Sequence, residues 1–142
     1  SDSHWVALKS DGTVWAWGNN YLLQLGNGTN LSVWYAIQVK NAAGTGFLTN
    51  VKDIDAGGNH SMALLNDGSV YVWGNNAYCQ LGDGTTTGSN LPKAVSLGQA
   101  ATKISAGGGR SFATLADGTV KAWGEGSLGG LGLGTGVTAT QP

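Results

Sequence analysis

Apolar and polar residues alternate over short stretches of this chain, and the stretches come in pairs. In the central part, residues 61–65 and 69–73 are rich in apolar, β-branched and aromatic side chains, and Asn66-Asp67-Gly68 separates them. An Asp-Gly pair in a short link tolerates positive φ, which lets two antiparallel strands reverse direction. The pattern therefore predicts a β-hairpin over residues 60–74.

The same hairpin pattern occurs three times in the chain. Residues 4–18 read HWVALKSDGTVWAWG, residues 60–74 read HSMALLNDGSVYVWG, and residues 110–124 read RSFATLADGTVKAWG. The Asp-Gly and Trp-Gly pairs both recur after 56 and then 50 residues. A fixed period of this size is typical of a repeat protein, in which recurring residues maintain the architecture and differences between units carry function.

Each unit holds further extended segments beside its hairpin. VKDIDAG at residues 51–57 and ATKISAG at residues 101–107 precede the second and third hairpins. After the hairpins come QLGNGT at residues 24–29, QLGDGT at residues 80–85 and the degenerate GLGLGT at residues 130–135. The sequence therefore predicts four extended segments per unit.

Both faces of each predicted hairpin carry apolar residues. Val14 and Ala16 point to one side while Trp15 and Trp17 point to the other, because side chains alternate along a strand. A small sheet that is apolar on both faces needs a neighbour on each side, and similar sheets every 50 residues supply them. The predicted fold is therefore all-β, with propeller blades of four antiparallel strands, rather than a sandwich or a parallel β-helix.

Composition narrows the functional classes. The chain has 142 residues with 25 glycines and 6 tryptophans, and only 11% of its residues are charged. Seven Lys and Arg residues and a net charge of −1 argue against nucleic-acid binding as its main role, and no apolar run is long enough to span a membrane. Cys79, whose repeat counterparts are Leu23 and Gly129, is interpreted as a packing residue.

The order of the landmarks carries a family resemblance. The second unit reads Ala-Gly-Gly-x-His from residue 56, then Asp67-Gly68-x-Val-Tyr-x-Trp73-Gly, and then Gln-Leu-Gly-x-Gly from residue 80. This order resembles the regulator of chromosome condensation repeat over essentially the whole chain. The resemblance implies four-stranded blades in a propeller that commonly has seven of them.

About three such units fit in the chain, at approximately residues 1–50, 51–100 and 101–142. The first unit lacks the Val-x-x-Ile segment and the third is truncated, whereas seven blades would need roughly 350 residues. We therefore expect a partial propeller of about three blades, completed by missing sequence or by oligomerisation.

Twelve recurring residues are interpreted as repeat architecture rather than as chemistry. His4 and His60 occupy the same repeat position, which Arg110 fills in the third unit, and a polar residue there is better explained by hydrogen bonding than by catalysis. The Asp-Gly pairs suit turns and the Trp-Gly tryptophans suit packing. The other recurring residues are Trp17, Trp73, Trp123, Asp11, Asp67, Asp117, Gly12, Gly68 and Gly118. The sequence predicts no catalytic residues, no cofactor and no metal site.

Differences between the units indicate where a partner binds. The first spacer is longer than the second and contains Trp34 and Tyr35, which have no aromatic counterpart in the second unit. Phe47 lies further along that spacer, and Tyr21 and Tyr78 lie in the loops after the hairpins. Exposed aromatic residues are preferred binding anchors, although these could equally cover the end of a neighbouring blade.

The leading functional hypothesis is a noncatalytic protein–protein interaction scaffold that presents variable loops, not an enzyme. One alternative is a carbohydrate-binding propeller in which Trp34 and Tyr35 stack on sugars. Another is a structural unit whose partner is a further copy of itself. Some propellers of the resembled family accelerate nucleotide exchange on a small GTPase, but no residue motif here carries that role over to this chain. The composition favours a bacterial secreted or cell-surface protein.

Overall fold

A computed structural model describes residues 4–132, 139 and 141–142 of the chain. Ten strands form three antiparallel sheets, ordered β1-β2-β3, β4-β5-β6-β7 and β8-β9-β10. The prediction of an all-β partial propeller built from antiparallel blades is confirmed. The strands are β1 His4–Leu8, β2 Val14–Gly18, β3 Val33–Gln38, β4 Val51–Ala56, β5 His60–Leu65, β6 Val70–Gly74, β7 Ser89–Ala94, β8 Ala101–Gly107, β9 Arg110–Leu115 and β10 Val120–Gly124.

We number the sheets 1 to 3 in chain order. Sheet 2 has all four strands, and sheet 3 has three named strands with an isolated bridge from Gly124 to Ala139. The third copy of the loop motif, residues 130–135, lies partly outside the described residues. A short 3-10 turn, Ser127–Gly129, follows β10, and no helix among the described residues is long and apolar enough to cross a membrane.

The Asp-Gly pairs form the hairpin turns. Gly12 has φ +79° and its amide donates to the Lys9 carbonyl at 2.9 Å, while Asp11 Oδ1 accepts the amide of Thr13 at 3.0 Å. The second and third hairpins repeat this arrangement at Asp67 and Asp117. A side chain that bonds the backbone two residues on, followed by a residue with positive φ, reverses the strand within a few residues.

Two hydrophobic clusters fill the spaces between the sheets. One lies between sheets 1 and 2 and includes Val14, Ala16, Leu25 and the indole of Trp73. The other lies between sheets 2 and 3 and includes Val70, Val72, Leu81 and Trp123, among others. Sheet 2 is thus buried on both faces, as expected of a blade inside a propeller.

Candidate partner-binding faces

Adjacent sheets are joined by a hydrogen-bond relay at the start of each hairpin. Ser61 Oγ of sheet 2 donates to the Gln24 carbonyl at 2.9 Å, and Trp73 Nε1 donates to the same oxygen at 2.9 Å. His4 Nε2 lies 2.8 Å from Ser61 Oγ, within hydrogen-bond distance. Because the single hydroxyl proton of Ser61 goes to Gln24, the histidine is the donor and is the neutral Nε2–H tautomer.

The next pair of sheets repeats the relay one unit later. Ser111 Oγ and Trp123 Nε1 both donate to the Gln80 carbonyl, at 2.8 and 2.9 Å, and His60 Nε2 lies 2.9 Å from Ser111 Oγ. Burial lowers the pKa of His60 to about 4, with a smaller contribution from nearby His4, whose own pKa burial also lowers to about 4. Both rings are therefore neutral at physiological pH and serve as structural donors.

The third unit breaks the pattern at two positions at once. Arg110 replaces the histidine, and its Nε donates to the Glu125 carbonyl at 3.0 Å while the carboxylate of Glu125 lies 3.6 Å away. Gly130 replaces the glutamine, and a Cβ on Gly130 would collide with the Arg110 guanidinium. The guanidinium thus takes the space next to residue 130, where a glutamine side chain would have to begin.

The tryptophans of the Trp-Gly pairs differ in burial because sheet 1 has no described sheet before it. Trp73 and Trp123 are completely buried against the preceding sheet, whereas Trp17 is only partly buried. Trp5 occupies the position of Ser61 and Ser111 and is 59% exposed. We call the surface formed by Trp5, Trp15, Trp17, Trp34 and Tyr35 the leading face of the chain.

Comparison with sheet 2 places the segment of β3 that carries Trp34 and Tyr35 on this side of sheet 1. Asn90 and Leu91 are their counterparts, and the Asn90 carbonyl accepts the amide of Gly28 in the first unit at 2.9 Å. Leu91 packs over Gly44, where an added Cβ would lie 3.1 Å from Leu91 Cδ1. Trp34 is 87% and Tyr35 70% exposed because no described sheet covers them.

An open groove of about 580 Å³ runs along β3 beside this face. Its wall carries the rings of Trp15, Tyr35 and Phe47, and Lys40 Nζ stands 5.0 Å from the Phe47 ring centroid. The other groove residues are Asn27, Thr29, Leu31, Val33, Ala36, Ile37 and Gln38. In the second unit the equivalents of Asn27 and Ile37 are Asp83 and Lys93, which form a 2.6 Å ion pair.

The five aromatic residues predicted to bind a partner are not all brought together. Tyr35 and Phe47 share the groove, with Trp34 beside Tyr35 on β3. Tyr21 is 75% exposed in the loop after β2 and does not line the groove. Tyr78 is 52% exposed and lies over Gly109 of the third unit.

Sequence reasoning missed Trp5 and Trp15 as members of the exposed surface. Trp15 aligns with Tyr71, so an aromatic residue at this position did not distinguish the first unit from the second. Trp5 did carry a signal, since the other two units have serine at its position. A bulky aromatic residue where the repeat keeps a small hydroxyl could have been singled out before the structure was known.

The titratable residues of the described chain have structural contacts. In the part of the chain that the structure describes, no three His, Cys, Asp or Glu side chains are grouped to hold a metal ion. The two histidines are buried in the relays between sheets. The fold and these faces define a class: a segment of a repeat propeller with aromatic residues exposed on its first sheet.

Family models identify the repeat. The model described as "Regulator of chromosome condensation (RCC1) repeat" matches residues 11–64 and 67–114, and a second RCC1 repeat model matches residues 51–80. The chain belongs to the RCC1 repeat family, and the resemblance stated from the sequence is confirmed.

Relatives and solved structures are similar over part of their own length. The mitochondrial RCC1 domain-containing protein RUG3 of Arabidopsis thaliana is 33% identical over 90 residues, which cover 63% of this chain and 19% of that protein. Human WBSCR16 superposes with a TM-score of 0.85 at 26% identity, covering 100% of this chain and 35% of that one. Yeast RCC1 (Prp20), solved bound to Kap60, gives a TM-score of 0.72 at 28% identity, covering 87% of this chain and 28% of that one. The chain thus spans about a fifth to a third of these proteins.

Proposed function

We propose that this chain is a noncatalytic protein-interaction module, a propeller segment that binds a protein partner through its leading face. One observation carries the proposal. Trp34 and Tyr35 are 87% and 70% exposed, while their second-unit counterparts Asn90 and Leu91 lie against the first unit. The surface that sheet 2 uses to bind a sheet is therefore enriched in large aromatic residues in sheet 1.

The chemistry of this face suits a protein partner. Tryptophan and tyrosine are enriched among residues that dominate binding energy, and contiguous apolar surface on a folded protein marks interaction sites. The yeast relative was solved in complex with the protein Kap60, and another structure of Prp20p concerns its binding to Gsp1p and histones. These partners belong to the relatives, and they support protein binding as a use of the family's propellers.

A photo-crosslinking residue placed at Tyr35 tests the proposal. We expect a discrete protein adduct from position 35 and none from the exposed control position Lys52. The adduct is identified by mass spectrometry and the purified partner is titrated against the chain. Replacing Trp34→Asn and Tyr35→Leu, the residues the second unit carries, should raise the Kd at least tenfold, whereas Tyr21→Ala should leave it unchanged. Binding that is indifferent to the double substitution contradicts the proposal.

Carbohydrate binding is a second candidate, favoured by the groove along β3. The rings of Trp15 and Tyr35 there stand near the polar side chains of Asn27, Thr29 and Gln38, a combination that suits stacking on and hydrogen bonding to a sugar. A glycan array with the wild-type chain and its Trp34→Ala and Tyr35→Ala variants distinguishes the candidates. Saturable binding that both variants abolish favours a sugar ligand over a protein partner.

A further inference from the structure

We propose that the chain holds a binding site for a neutral sugar residue in a pocket between the spacer of the first unit and sheet 2. The pocket lies at the boundary of two neighbouring units and has a volume of about 360 Å³. Ligand pockets measure about 300 to 1,000 Å³, so the space suits a small ligand. The inference goes beyond the proposed function, because none of the leading-face residues lines this pocket.

The spacer between β3 and β4 forms one wall of the pocket as a small hairpin. The amide of Leu48 donates to the carbonyl of Val39, and the amide of Asn41 donates to that of Gly46, both at 3.0 Å. Gly44 has φ +71° at the tip, and its amide donates to the Asn41 carbonyl at 3.0 Å. Leu48 is buried and anchors the hairpin in the cluster between sheets 1 and 2. Because this wall is ordered before a ligand binds, little conformational entropy is lost on binding.

The opposite wall comes from sheet 2, which contributes Leu65 and Tyr71. Phe47 of the spacer is 48% exposed and lines both this pocket and the β3 groove. Lys40, whose Nζ stands 5.0 Å from the centroid of the Phe47 ring, lines the groove and not the pocket. The two spaces are therefore separate, with Phe47 between them.

The pocket belongs to the first unit because the repeat differs there. Residues 39–50 join β3 to β4, whereas the second unit spans the equivalent stretch with residues 95–100, VSLGQA, which include no aromatic residue. In the third unit Lys121 stands at the position of Tyr71. The boundary between the second and third units therefore lacks counterparts of both Phe47 and Tyr71. In a repeat array such differences between units carry function rather than architecture.

The lining residues select a neutral ligand that is rich in hydroxyl groups. Among the nine described residues that line the pocket, none carries a charge. Four have side chains that both donate and accept hydrogen bonds, as sugar hydroxyls do: Asn41, Thr49, Asn50 and Tyr71. The ring of Phe47 offers an apolar surface to the C–H face of a pyranose. A phosphate or carboxylate would find no cation among these residues, and leaving its charge unpaired is costly.

Nuclear magnetic resonance of the isotope-labelled chain tests the proposal. The probes are the methyl glycosides of glucose, galactose, mannose and N-acetylglucosamine. We expect at least one of them to shift the amides of residues 41–50 and of Tyr71 saturably. Inorganic phosphate and adenosine are the comparison ligands and should leave these amides unshifted.

Two substitutions remove one hydrogen-bonding group each from the pocket. Asn50 has φ +59°, so Asn50→Gly removes the side-chain amide and suits the backbone, while Thr49→Val replaces a hydroxyl with a methyl group. Each should raise the Kd about fivefold, which corresponds to the loss of one hydrogen bond. Replacing residues 40–50 with SLGQA, the shorter spacer of the second unit, should abolish binding. Trp34→Asn with Tyr35→Leu is the matched control and should leave the Kd unchanged.

The outcomes that overturn the proposal are distinct. One is that no glycoside shifts residues 41–50, whether or not phosphate or adenosine does. Another is sugar binding that both single variants leave unchanged, or that Tyr35→Leu abolishes, which would place the sugar in the β3 groove. Circular dichroism checks the folding of the spacer replacement, and the two single variants carry the test if that replacement unfolds. The protein-interaction function is tested separately, by the crosslinked adduct from position 35.

Discussion

At the scale of single residues, one loop position shows how backbone conformation can outweigh side-chain size. Leu23, Cys79 and Gly129 occupy the same repeat position and have φ of +71°, +61° and +72°. Cys79 is buried, in keeping with its interpretation as a packing residue, but what the three share is the left-handed conformation. The pattern Leu, Cys, Gly therefore reflects a turn that the loop imposes on whatever residue is present.

The two buried histidines make stability depend on pH. Their pKa values are about 4 in the folded chain, against 6.5 for an ordinary histidine. Between pH 6.5 and pH 4 the unfolded chain binds protons that the folded chain does not, so the free energy of unfolding falls as the pH is lowered through this window and is fully retained above it. We expect a loss of up to about 3 kcal/mol per histidine across the window, measured by urea unfolding at several pH values.

His4→Gln and His60→Gln serve as controls, since an amide can still donate to the serine but does not titrate. Together they should flatten the pH dependence between pH 6.5 and pH 4. Carboxylates such as that of Asp83 change the free energy of unfolding only at lower pH. Burial raises the pKa of Asp83, but hydrogen bonds from Lys93, Thr85 and Asn76 outweigh this effect and hold it at about 2. Equal unfolding free energies at pH 7 and pH 4.5 would show that the folded histidines are not held neutral.

Comparing two glycines with the same backbone conformation distinguishes the cost of a left-handed backbone from the cost of a clash between sheets. Gly82 has φ +67° and Gly132 has φ +73°, but only at Gly82 would an alanine Cβ press on Trp123. We expect Gly82→Ala to lower the free energy of unfolding by about 3 kcal/mol and Gly132→Ala by about 1 kcal/mol, the cost of the left-handed conformation alone. Chemical denaturation of the two variants and the wild-type chain measures both. Equal losses of unfolding free energy in the two variants would show that the left-handed backbone, and not the clash with Trp123, causes the whole effect.

At the scale of elements, each hairpin binds the preceding unit through its tryptophan. The Gln24 carbonyl oxygen accepts hydrogen bonds from both Ser61 Oγ and Trp73 Nε1. One backbone oxygen therefore joins the loop of one unit to two strands of the next. A side-chain amide, that of Asn20, holds the same loop by donating to the carbonyls of Thr29 and Leu31. The loop is rigid enough to offer its carbonyl at a fixed place because its own polar groups are satisfied.

Trp73→Phe and Trp17→Phe form a matched pair at this level. Phenylalanine keeps an aromatic ring but removes the indole N–H, which at Trp73 leaves the buried Gln24 carbonyl with one donor fewer. We expect a loss of about 2 kcal/mol for Trp73→Phe and less than about 0.5 kcal/mol for Trp17→Phe. Thermal and denaturant unfolding check the difference, and a larger effect at Trp17 would contradict the assigned roles.

At the scale of the whole molecule, the three sheets are unequal. Sheet 2 contributes to both hydrophobic clusters, whereas sheets 1 and 3 contribute to one each. Stability in a repeat array is approximately a sum of unit terms and neighbour contacts, so a unit with two neighbours opens least often. Sheets 1 and 3, which contribute to one cluster each, are expected to open more readily than sheet 2.

Native-state hydrogen exchange should reveal this order directly. We expect the slowest amides in β5 and β6 of sheet 2 and faster exchange in the matching strands of sheets 1 and 3. Exchange at one uniform rate through all three sheets would indicate a single cooperative unit instead.

Much of this architecture could be predicted from the sequence. The paired alternating stretches predicted the hairpins, and apolar residues on both sides of each hairpin predicted stacked sheets. The hypothesis that Trp34 and Tyr35 bind a partner and the alternative that they cover the end of a neighbouring blade were both made at that stage, and both stay predictions. The relay was not predictable, since its partners His4, Gln24 and Ser61 lie far apart in the chain.

The sequence by itself determined the local and periodic features: turns, strand alternation, the period of the repeat and the family. These depend on residues a few positions apart, whose conformations follow from local sterics and hydrogen bonding. Only the tertiary structure decided which face of each sheet meets its neighbour and which carbonyl receives the indole. Those contacts join residues tens of positions apart, and their existence depends on how the sheets stack rather than on any segment alone.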